Sequence, residues 1–226
     1  MTGFSRLLVS ILPILIGLST TAQSQSKPGL TVYVGGNVTY LDREPSRNTD
    51  NIVGGLLGIE ATVPLSETFA LGGGLEFYQR GFADVLRITS STGESLERRT
   101  VQHRASYLSV PLNAYLTVPL PRFSPRFFFG SSLGIKVTSN DESTSFGGME
   151  STNPLADRYS DFITTLQVGS DIRLHSLIKL PLSLRIRFSQ DVTATYDDLR
   201  ITSDNQAVDK AIRGRGLDFA ITYDLR

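Results

Sequence analysis

The sequence predicts an all-β fold, an eight-stranded antiparallel up-and-down transmembrane β-barrel, from three observations. After residue 30, apolar and polar residues alternate in segments of about ten residues, which is the period of a strand with one apolar face. The connections between these segments are alternately short and long, as expected for turns on one side of a membrane and loops on the other. An apolar segment typical of a secretion signal precedes them all.

The first 22 residues are predicted to be a cleaved signal peptide. A basic residue precedes the apolar run from Leu7 to Leu18, and small residues follow the run. The alternative, a membrane-anchoring helix, would need roughly 20 apolar residues, and this run is shorter. We expect cleavage near Ala22 or Ser24, so that residues 30–226 form the predicted barrel domain.

The composition excludes several classes of protein. The chain has no cysteine, which excludes a lipid-attachment cysteine, a disulfide framework and a thiolate metal site. Its 22 basic residues balance its 22 acidic residues, whereas a nucleic-acid partner would require a basic excess. No apolar run after the signal is long enough for a transmembrane helix, so a membrane-embedded chain would have to cross as strands.

The apolar face of each predicted strand consists of every second residue. In the first four strands these faces extend from Val32 to Tyr40, from Val53 to Val63, from Phe69 to Phe77 and from Leu108 to Leu120. In the last four they extend from Phe127 to Val137, from Leu166 to Leu174, from Leu180 to Phe188 and from Leu217 to Leu225. Aromatic girdles at the two membrane interfaces have candidates among Tyr33, Tyr40, Tyr78, Tyr107, Tyr115, Phe127 and Tyr223.

The lengths of the connections predict the sidedness of the barrel. The second, fourth and sixth connections are short, at Pro64 to Thr68, Pro119 to Pro125 and His175 to Pro181. The other four are longer, at Asp42 to Asp50, Gly81 to Gln102, Ser139 to Asp161 and Asp191 to Arg213. This order predicts both ends of the barrel domain in the periplasm and the long loops outside the cell.

The polar face of the strands is predicted to fill the lumen, because a barrel of eight strands is just wide enough for side chains. The charged residues on that face are Glu60, Glu76, Lys136, Asp171, Arg173, Arg185, Arg187, Asp218 and Asp224. Buried charges need partners, and the near balance of signs favours a salt-bridged plug. The alternative is a narrow solute channel lined by arginines.

The fourth strand also carries a family motif. Tyr107, Leu108, Pro111 and Leu112 stand in the order Tyr-Leu-x-x-Pro-Leu. This pattern resembles a strand of the PorT-like outer-membrane β-barrel proteins of Bacteroidetes-type bacteria. The resemblance implies an eight-stranded outer-membrane barrel, usually without an assigned activity. Many outer-membrane barrels end on an aromatic residue that the assembly machinery reads, whereas this chain ends on Arg226 with Tyr223 nearby.

An enzyme is the alternative from a different class. A lipid-modifying outer-membrane hydrolase could use a histidine beside a serine, and His103 with Ser106 or Ser109 is the candidate pair. No acid that would orient His103 is identifiable, so an ordinary polar residue near the barrel rim is the favoured interpretation. No cofactor is predicted, and the loop carboxylates have no recognisable calcium-binding spacing.

The predicted outer loops mix arginines with carboxylates. Arg87, Arg98 and Arg200 are among the arginines, and Asp197 and Asp204 are among the acids. Such a surface suits contact with lipopolysaccharide phosphates or with a protein partner. The sequence therefore predicts a structural or interaction role through the outer loops, with outer-membrane lipids, lipopolysaccharide and a protein as candidate partners and no nucleic acid.

Overall fold

The computed structural model of the chain describes residues 28–41, 49–89, 95–120, 125–144, 159–174, 180–201 and 207–225. The predicted signal peptide at residues 1–22, most of the first long connection, and His175 lie outside these ranges. Asp204 and Arg226 lie outside them too. Within the described ranges, no helix has the length and apolar character needed to cross a membrane.

Eight strands form a closed antiparallel barrel, which confirms the predicted fold class. They are β1 (Gly29–Leu41), β2 (Thr49–Pro64), β3 (Phe69–Thr89), β4 (Ser95–Thr117), β5 (Arg126–Thr144), β6 (Phe162–Arg173), β7 (Leu182–Asp191) and β10 (Gly214–Leu225). Their order around the barrel is β1, β10, β7, β6, β5, β4, β3, β2, and β2 closes back onto β1. A separate two-stranded sheet consists of β8 (Tyr196–Ile201) and β9 (Ala207–Ile212).

The first and last strands close the barrel along a continuous antiparallel seam. The seam runs from the pair Leu30 and Leu225 at one end to the pair Leu41 and Gly214 at the other. The barrel domain therefore begins and ends at the same end, where the short connections after β2, β4 and β6 also lie. We call this the turn end and the opposite one the loop end. The arrangement agrees with the predicted order of short and long connections.

The barrel is apolar outside and polar inside, which is the reverse of a soluble domain. On β6, the outward Leu166 and Val168 are 44% and 50% exposed, whereas the inward Thr165 and Gln167 are 2% and 3% exposed. Strict alternation places every second side chain on the same face. The apolar faces predicted from the sequence are therefore the outer surface of the barrel.

The third predicted connection is largely strand. Residues 81–102 were expected to form a loop, but β3 continues to Thr89 and β4 begins at Ser95, with pairing from Gly81 and Arg104 up to Thr89 and Ser95. A membrane strand needs about 9–11 residues, and β3 has 21, so this hairpin extends well beyond the apolar band. Outside the band no lipid selects an apolar face, so the extension shows no apolar alternation in the sequence.

Two other connections also contain strand that the sequence did not predict. β5 continues to Thr144, past the predicted start of a loop at Ser139. The predicted loop from Asp191 to Arg213 contains β8 and β9, which pair from Tyr196 and Ile212 to Ile201 and Ala207. Both segments are held by backbone pairing, and neither sequence shows a sustained apolar alternation.

The aromatic residues predicted as girdle candidates lie on both faces of the strands. Tyr33, Tyr78, Tyr107 and Tyr115 are buried in the lumen, so the interfacial prediction is wrong for these four. Their positions share a face with polar inward residues, and each ring fills the interior of the barrel. Tyr40, Phe127 and Tyr223 point outward and are exposed, as a girdle requires.

Candidate functional site: the layered charge network of the lumen

Three layers of charged side chains cross the lumen between the turn end and the loop end. β7 shows their order, because its inward residues Arg185, Arg187 and Asp191 follow one another from the turn end to the loop end. We call the layers around these residues the lower, middle and upper layers. β3 and β7 stand four places apart in the ring of eight strands. Contacts between these two strands therefore span the full width of the lumen.

The lower layer is built on Arg185, which is 1% exposed. Its guanidinium donates to Asp171 at 2.7 and 3.0 Å and to Glu60 at 3.1 Å. Arg126 also donates to Asp171, at 2.7 Å, and the Tyr115 hydroxyl donates to Glu60. Two guanidinium groups thus face two carboxylates, and the layer is electrically balanced.

The middle layer is built on Arg187. Its Nη1 and Nη2 donate to the two carboxylate oxygens of Glu76 at 2.6 and 3.0 Å, and its Nε donates to Asp218 at 2.5 Å. Gln167 accepts a further bond at 3.1 Å, and the Tyr33 hydroxyl donates to Glu76 at 2.8 Å. One guanidinium faces two carboxylates here, so this layer has an acidic excess.

The upper layer joins Arg80 and Asp191 across the lumen. Arg80 Nη2 lies 3.5 Å from Asp191 Oδ1 and donates to Ser189 at 2.9 Å. Asp191 also accepts from Thr165 at 2.8 Å and from Thr195 at 2.6 Å. Thr195 precedes β8, so this carboxylate connects the lumen to the segment that leads out to the β8–β9 sheet.

An aromatic cap covers the upper layer at the loop end. Phe82 packs on His103 with ring centroids 4.7 Å apart and on Tyr196 at 5.1 Å, and Tyr159 packs on Tyr196 at 5.2 Å. The Tyr159 hydroxyl donates to the His103 carbonyl at 2.9 Å. Tyr159 and Tyr196 come from two different loop-end connections, joined by a β-bridge. All four side chains are buried, so the cap closes the lumen above the charges.

Six of the nine charged residues predicted for the lumen lie in the buried layers, namely Glu60, Glu76, Asp171, Arg185, Arg187 and Asp218. The other three lie at the edges. Lys136 is half-buried and pairs with the exposed Asp161 at 2.9 Å. Asp224 accepts from Thr31 at 2.8 Å, and Arg173 is exposed at the turn end of β6.

The sequence reasoning missed Arg80, Arg126 and Asp191. Arg80 follows the last clear apolar residue of the third predicted strand, and Asp191 was assigned to a loop. Alternation along the strand could have identified both residues as inward. Arg80 comes two residues after the inward Tyr78, and Asp191 comes two residues after the inward Ser189. Arg126 lay between the predicted turn, which ends at Pro125, and the predicted strand face, which begins at Phe127, and it is the first residue of β5.

The fourth-strand motif divides between the two faces of β4. Tyr107 and Pro111 point inward and are buried, and Leu108 and Leu112 lie outward and are exposed. The Tyr107 hydroxyl donates to the Ser160 carbonyl at 3.1 Å. The motif therefore contributes one buried tether to a loop-end connection and two residues to the apolar outer surface.

The candidate catalytic pair does not assemble. His103 is 1% exposed within the cap, and Ser109 lies six residues farther along the same strand, which is a separation of about 20 Å. Ser106 lies three residues from His103, about 10 Å along the same strand, and it too is buried. Over the described ranges, no group of three or more acidic or histidine side chains is placed to hold a metal ion.

Several solved barrels are similar in fold. The Neisserial surface protein A has 10% identity and a TM-score of 0.45, with 88% of this chain and 97% of that chain covered. Ail of Yersinia pestis, solved with the heparin analogue sucrose octasulfate, has 10% identity and a TM-score of 0.45, with 88% and 100% covered. OprG of Pseudomonas aeruginosa has 11% identity and a TM-score of 0.38, with 89% and 97% covered. No curated protein matches the chain significantly.

A family model described as the outer membrane protein beta-barrel domain matches residues 10–219. The match covers nearly all of the barrel described above, and the family is one of membrane barrels. The turn end is accordingly the periplasmic end, and the loop end faces outward. This chain therefore belongs to the outer membrane protein β-barrel domain family, and it is a protein of the outer membrane.

Proposed function

We propose that this protein is a rigid outer-membrane scaffold whose lumen is sealed to solutes and whose loop-end structures contact lipopolysaccharide or a protein partner. The layered ion pairs support the seal, since Arg187 to Glu76 and Arg80 to Asp191 both connect opposite walls. A solute would have to break these pairs and displace the aromatic cap. During such a passage, the charged groups of the broken pairs would be left buried without partners, which is energetically costly.

The position of Asp191 is the observation that carries the scaffold proposal. This carboxylate is 0% exposed and bonds both Arg80 in the lumen and Thr195 in the outer connection. Thr195 in turn accepts from the Gly214 backbone at 2.9 Å, where β10 begins. The segment that leads to the β8–β9 sheet is thus fixed to the barrel interior at both of its ends. A fixed base reduces the entropy that an outer surface loses when it binds a partner.

The extension of β3 and β4 is the second proposed contact surface. Its backbone register places Arg87 opposite Arg98, next to the pair of Leu86 and Arg99. Arginine is suited to bidentate recognition of phosphate, which lipopolysaccharide carries at the outer leaflet. We propose lipopolysaccharide as the first partner to test, because this hairpin rises from the outer leaflet.

Two finer assignments also belong to this proposal. The Tyr-Leu-x-x-Pro-Leu pattern of Tyr107 to Leu112 supports placement among the PorT-like barrels. The apolar run of the first 22 residues supports their removal on export, since a protein of the outer membrane has to cross the inner one. Amino-terminal sequencing of the mature protein, with an expected start near residue 23 or 25, tests the second of these assignments.

Bilayer conductance and lipopolysaccharide titration test the function itself. The purified chain in planar bilayers should give no stepwise conductance, and steady openings would overturn the seal. In phospholipid nanodiscs, added lipopolysaccharide should raise the melting temperature. Replacing Arg87, Arg98 and Arg99 together with serine should abolish that rise.

The matched control for this titration is Arg173→Ser. Arg173 is exposed at the periplasmic end, where lipopolysaccharide of the outer leaflet cannot reach it. The control variant should retain the full rise in melting temperature. An equal rise in the triple variant would contradict the contact proposed for the β3–β4 extension.

A further inference from the structure

Five of the buried polar atoms that have no hydrogen-bond partner among the described residues belong to two adjacent strands, β1 and β10, and to Arg80 of β3. They are Asn37 Oδ1, Thr39 Oγ1, Arg80 Nε, Arg80 Nη1 and Asp218 Oδ1. All four residues are at most 2% exposed. Native structures rarely leave buried polar atoms without partners, and a group of them in one place requires an explanation.

Four of these atoms lie around one patch of the lumen wall at Gly216, whereas Asn37 Oδ1 lies over Gly54 and the Asn37 amide donates to the Gln79 carbonyl at 2.6 Å. Across the seam of β1 and β10, Asn37 pairs with Asp218 and Thr39 pairs with Gly216. Opposed residues lie about 5 Å apart and inward neighbours on one strand about 7 Å apart. Arg80 reaches this patch from β3, since a Cβ atom on Gly216 would collide with its Nη1. Glycine is therefore the residue that leaves room for the guanidinium.

The remaining hydrogen-bonding groups of these side chains are already engaged elsewhere. Arg80 Nη2 donates to Ser189 at 2.9 Å and lies 3.5 Å from Asp191. Asp218 Oδ2 accepts from Arg187 Nε at 2.5 Å. The free N–H groups of Arg80 and the free oxygen of Asp218 thus border the same patch without forming a direct ion pair.

We propose that this patch binds a small cluster of ordered water molecules, which bridges Arg80 of the upper layer to Asp218 of the middle layer. The patch offers donors on Arg80 and an acceptor on Asp218, and the Thr39 hydroxyl serves as either. Water both donates and accepts, so it satisfies every member of this set. About two or three molecules suffice, because a buried water makes roughly three hydrogen bonds.

Ions fit the same set of atoms less well. A halide would accept from Arg80 but would lie against the Asp218 oxygen, which is negatively charged. A monovalent cation would suit the acidic excess of the middle layer, but it would meet the N–H donors of Arg80. Water is the occupant that avoids both conflicts.

A high-resolution crystal structure of the full chain tests this proposal, with crystals grown in sodium bromide and, separately, in rubidium chloride. We expect density within hydrogen-bond distance of both Arg80 Nε and Asp218 Oδ1, with no anomalous signal in either salt. An anomalous peak at the patch would overturn the water assignment in favour of an ion. A direct contact between Arg80 and Asp218, with no density between them, would overturn the site altogether.

A double-mutant cycle tests the same bridge in solution. The effects of Arg80→Met and Asp218→Asn should be coupled. Each variant lowers the folding equilibrium constant by some factor, and the factor for the double variant should be about tenfold smaller than the product of the two single factors. Arg80→Met combined with Asp171→Asn is the matched control, because Asp171 belongs to the lower layer. If the two single losses simply multiply in the Arg80 and Asp218 pair, as they should in the control pair, the bridge is overturned. If any variant fails to fold, the crystal structure alone decides the question.

Discussion

Replacing Arg187 with methionine should destabilise the barrel more than any change at its surface. Arg187 makes two contacts with Glu76 and one with Asp218, at 2.5 to 3.0 Å, and all three side chains are buried. Methionine fills much of the same volume but leaves two carboxylates facing each other without a counter-charge. Breaking a buried ion pair costs about 3–5 kcal/mol, and the second stranded carboxylate places this variant at the upper end of that range.

The measurement is urea unfolding of the protein in phospholipid vesicles. The folded fraction can be read from the electrophoretic shift between unheated and boiled samples, since the chain has no tryptophan for fluorescence. Arg173→Met is the matched control, because Arg173 is exposed at the periplasmic end. Its effect on the free energy of unfolding should stay within about 0.5 kcal/mol.

The charge argument also predicts a rescue. Adding Glu76→Gln and Asp218→Asn to the Arg187→Met variant removes the stranded charges, and it should recover most of the lost stability. Replacing a whole buried ion cluster by neutral groups is often close to neutral. The reasoning is refuted if Arg187→Met costs no more than the Arg173 control. A triple variant as unstable as Arg187→Met alone would refute it as well.

Three further predictions follow from other parts of the barrel. Gly58→Ala would drive a Cβ atom into the ring of Tyr33 and should cost about 1–3 kcal/mol in the same urea assay. Asp191→Asn should release the outer connection, so that trypsin cleaves between residues 196 and 213 while the heat-dependent band shift of the barrel is retained. Val168→Arg, at a lipid-facing position 50% exposed in the isolated chain, should cost about 2–4 kcal/mol in vesicles.

Each of these predictions has its own control and its own contrary result. Gly29→Ala adds a methyl group with nothing within 4 Å, and an equal loss there would contradict the packing argument at Gly58. Asp161→Asn alters a carboxylate that is 77% exposed, and it should leave the trypsin pattern unchanged. Leu65→Arg, in the turn between β2 and β3, should cost no more than about 1 kcal/mol. If it costs as much as Val168→Arg, the assigned position of the membrane is wrong.

The sequence predicted the barrel wherever lipid imposes a pattern. Alternation on β4, from Leu108 to Leu116, survives because every outward residue there meets the apolar phase and every inward one meets the lumen. The same cause explains the limits of the prediction. In the extension of β3 and β4, from Gly81 to Gln102, both faces lie outside that phase, so the strands left no periodic signal.

The charge network was predictable by residue but not by partner. Parity placed Arg185, Arg187 and Glu76 in the lumen, because a strand exposes every second side chain to the same side. The order of the strands around the ring and their register decide which of these side chains form pairs. The alternation of apolar and polar residues in the sequence gives neither the order nor the register. Arg187 meets Glu76 only because β7 and β3 stand on opposite walls. The tie from Asp191 to Thr195 was missed because that segment has no apolar face.

The buried charges also specify how the strands must pair. A slip of one residue in a strand turns every side chain to the other face. On β7 such a slip would send Arg185 and Arg187 into the lipid and bring Leu184 and Ile186 into the lumen. An arginine near the bilayer midplane costs about 2–4 kcal/mol, so the two together oppose the slip by about 4–8 kcal/mol. The lost partners of Glu76 and Asp171 would add to that penalty. A lumen filled with threonine and serine could be as well packed, but it would resist misregistration far less, which gives these ion pairs a role in folding as well as in closing the lumen.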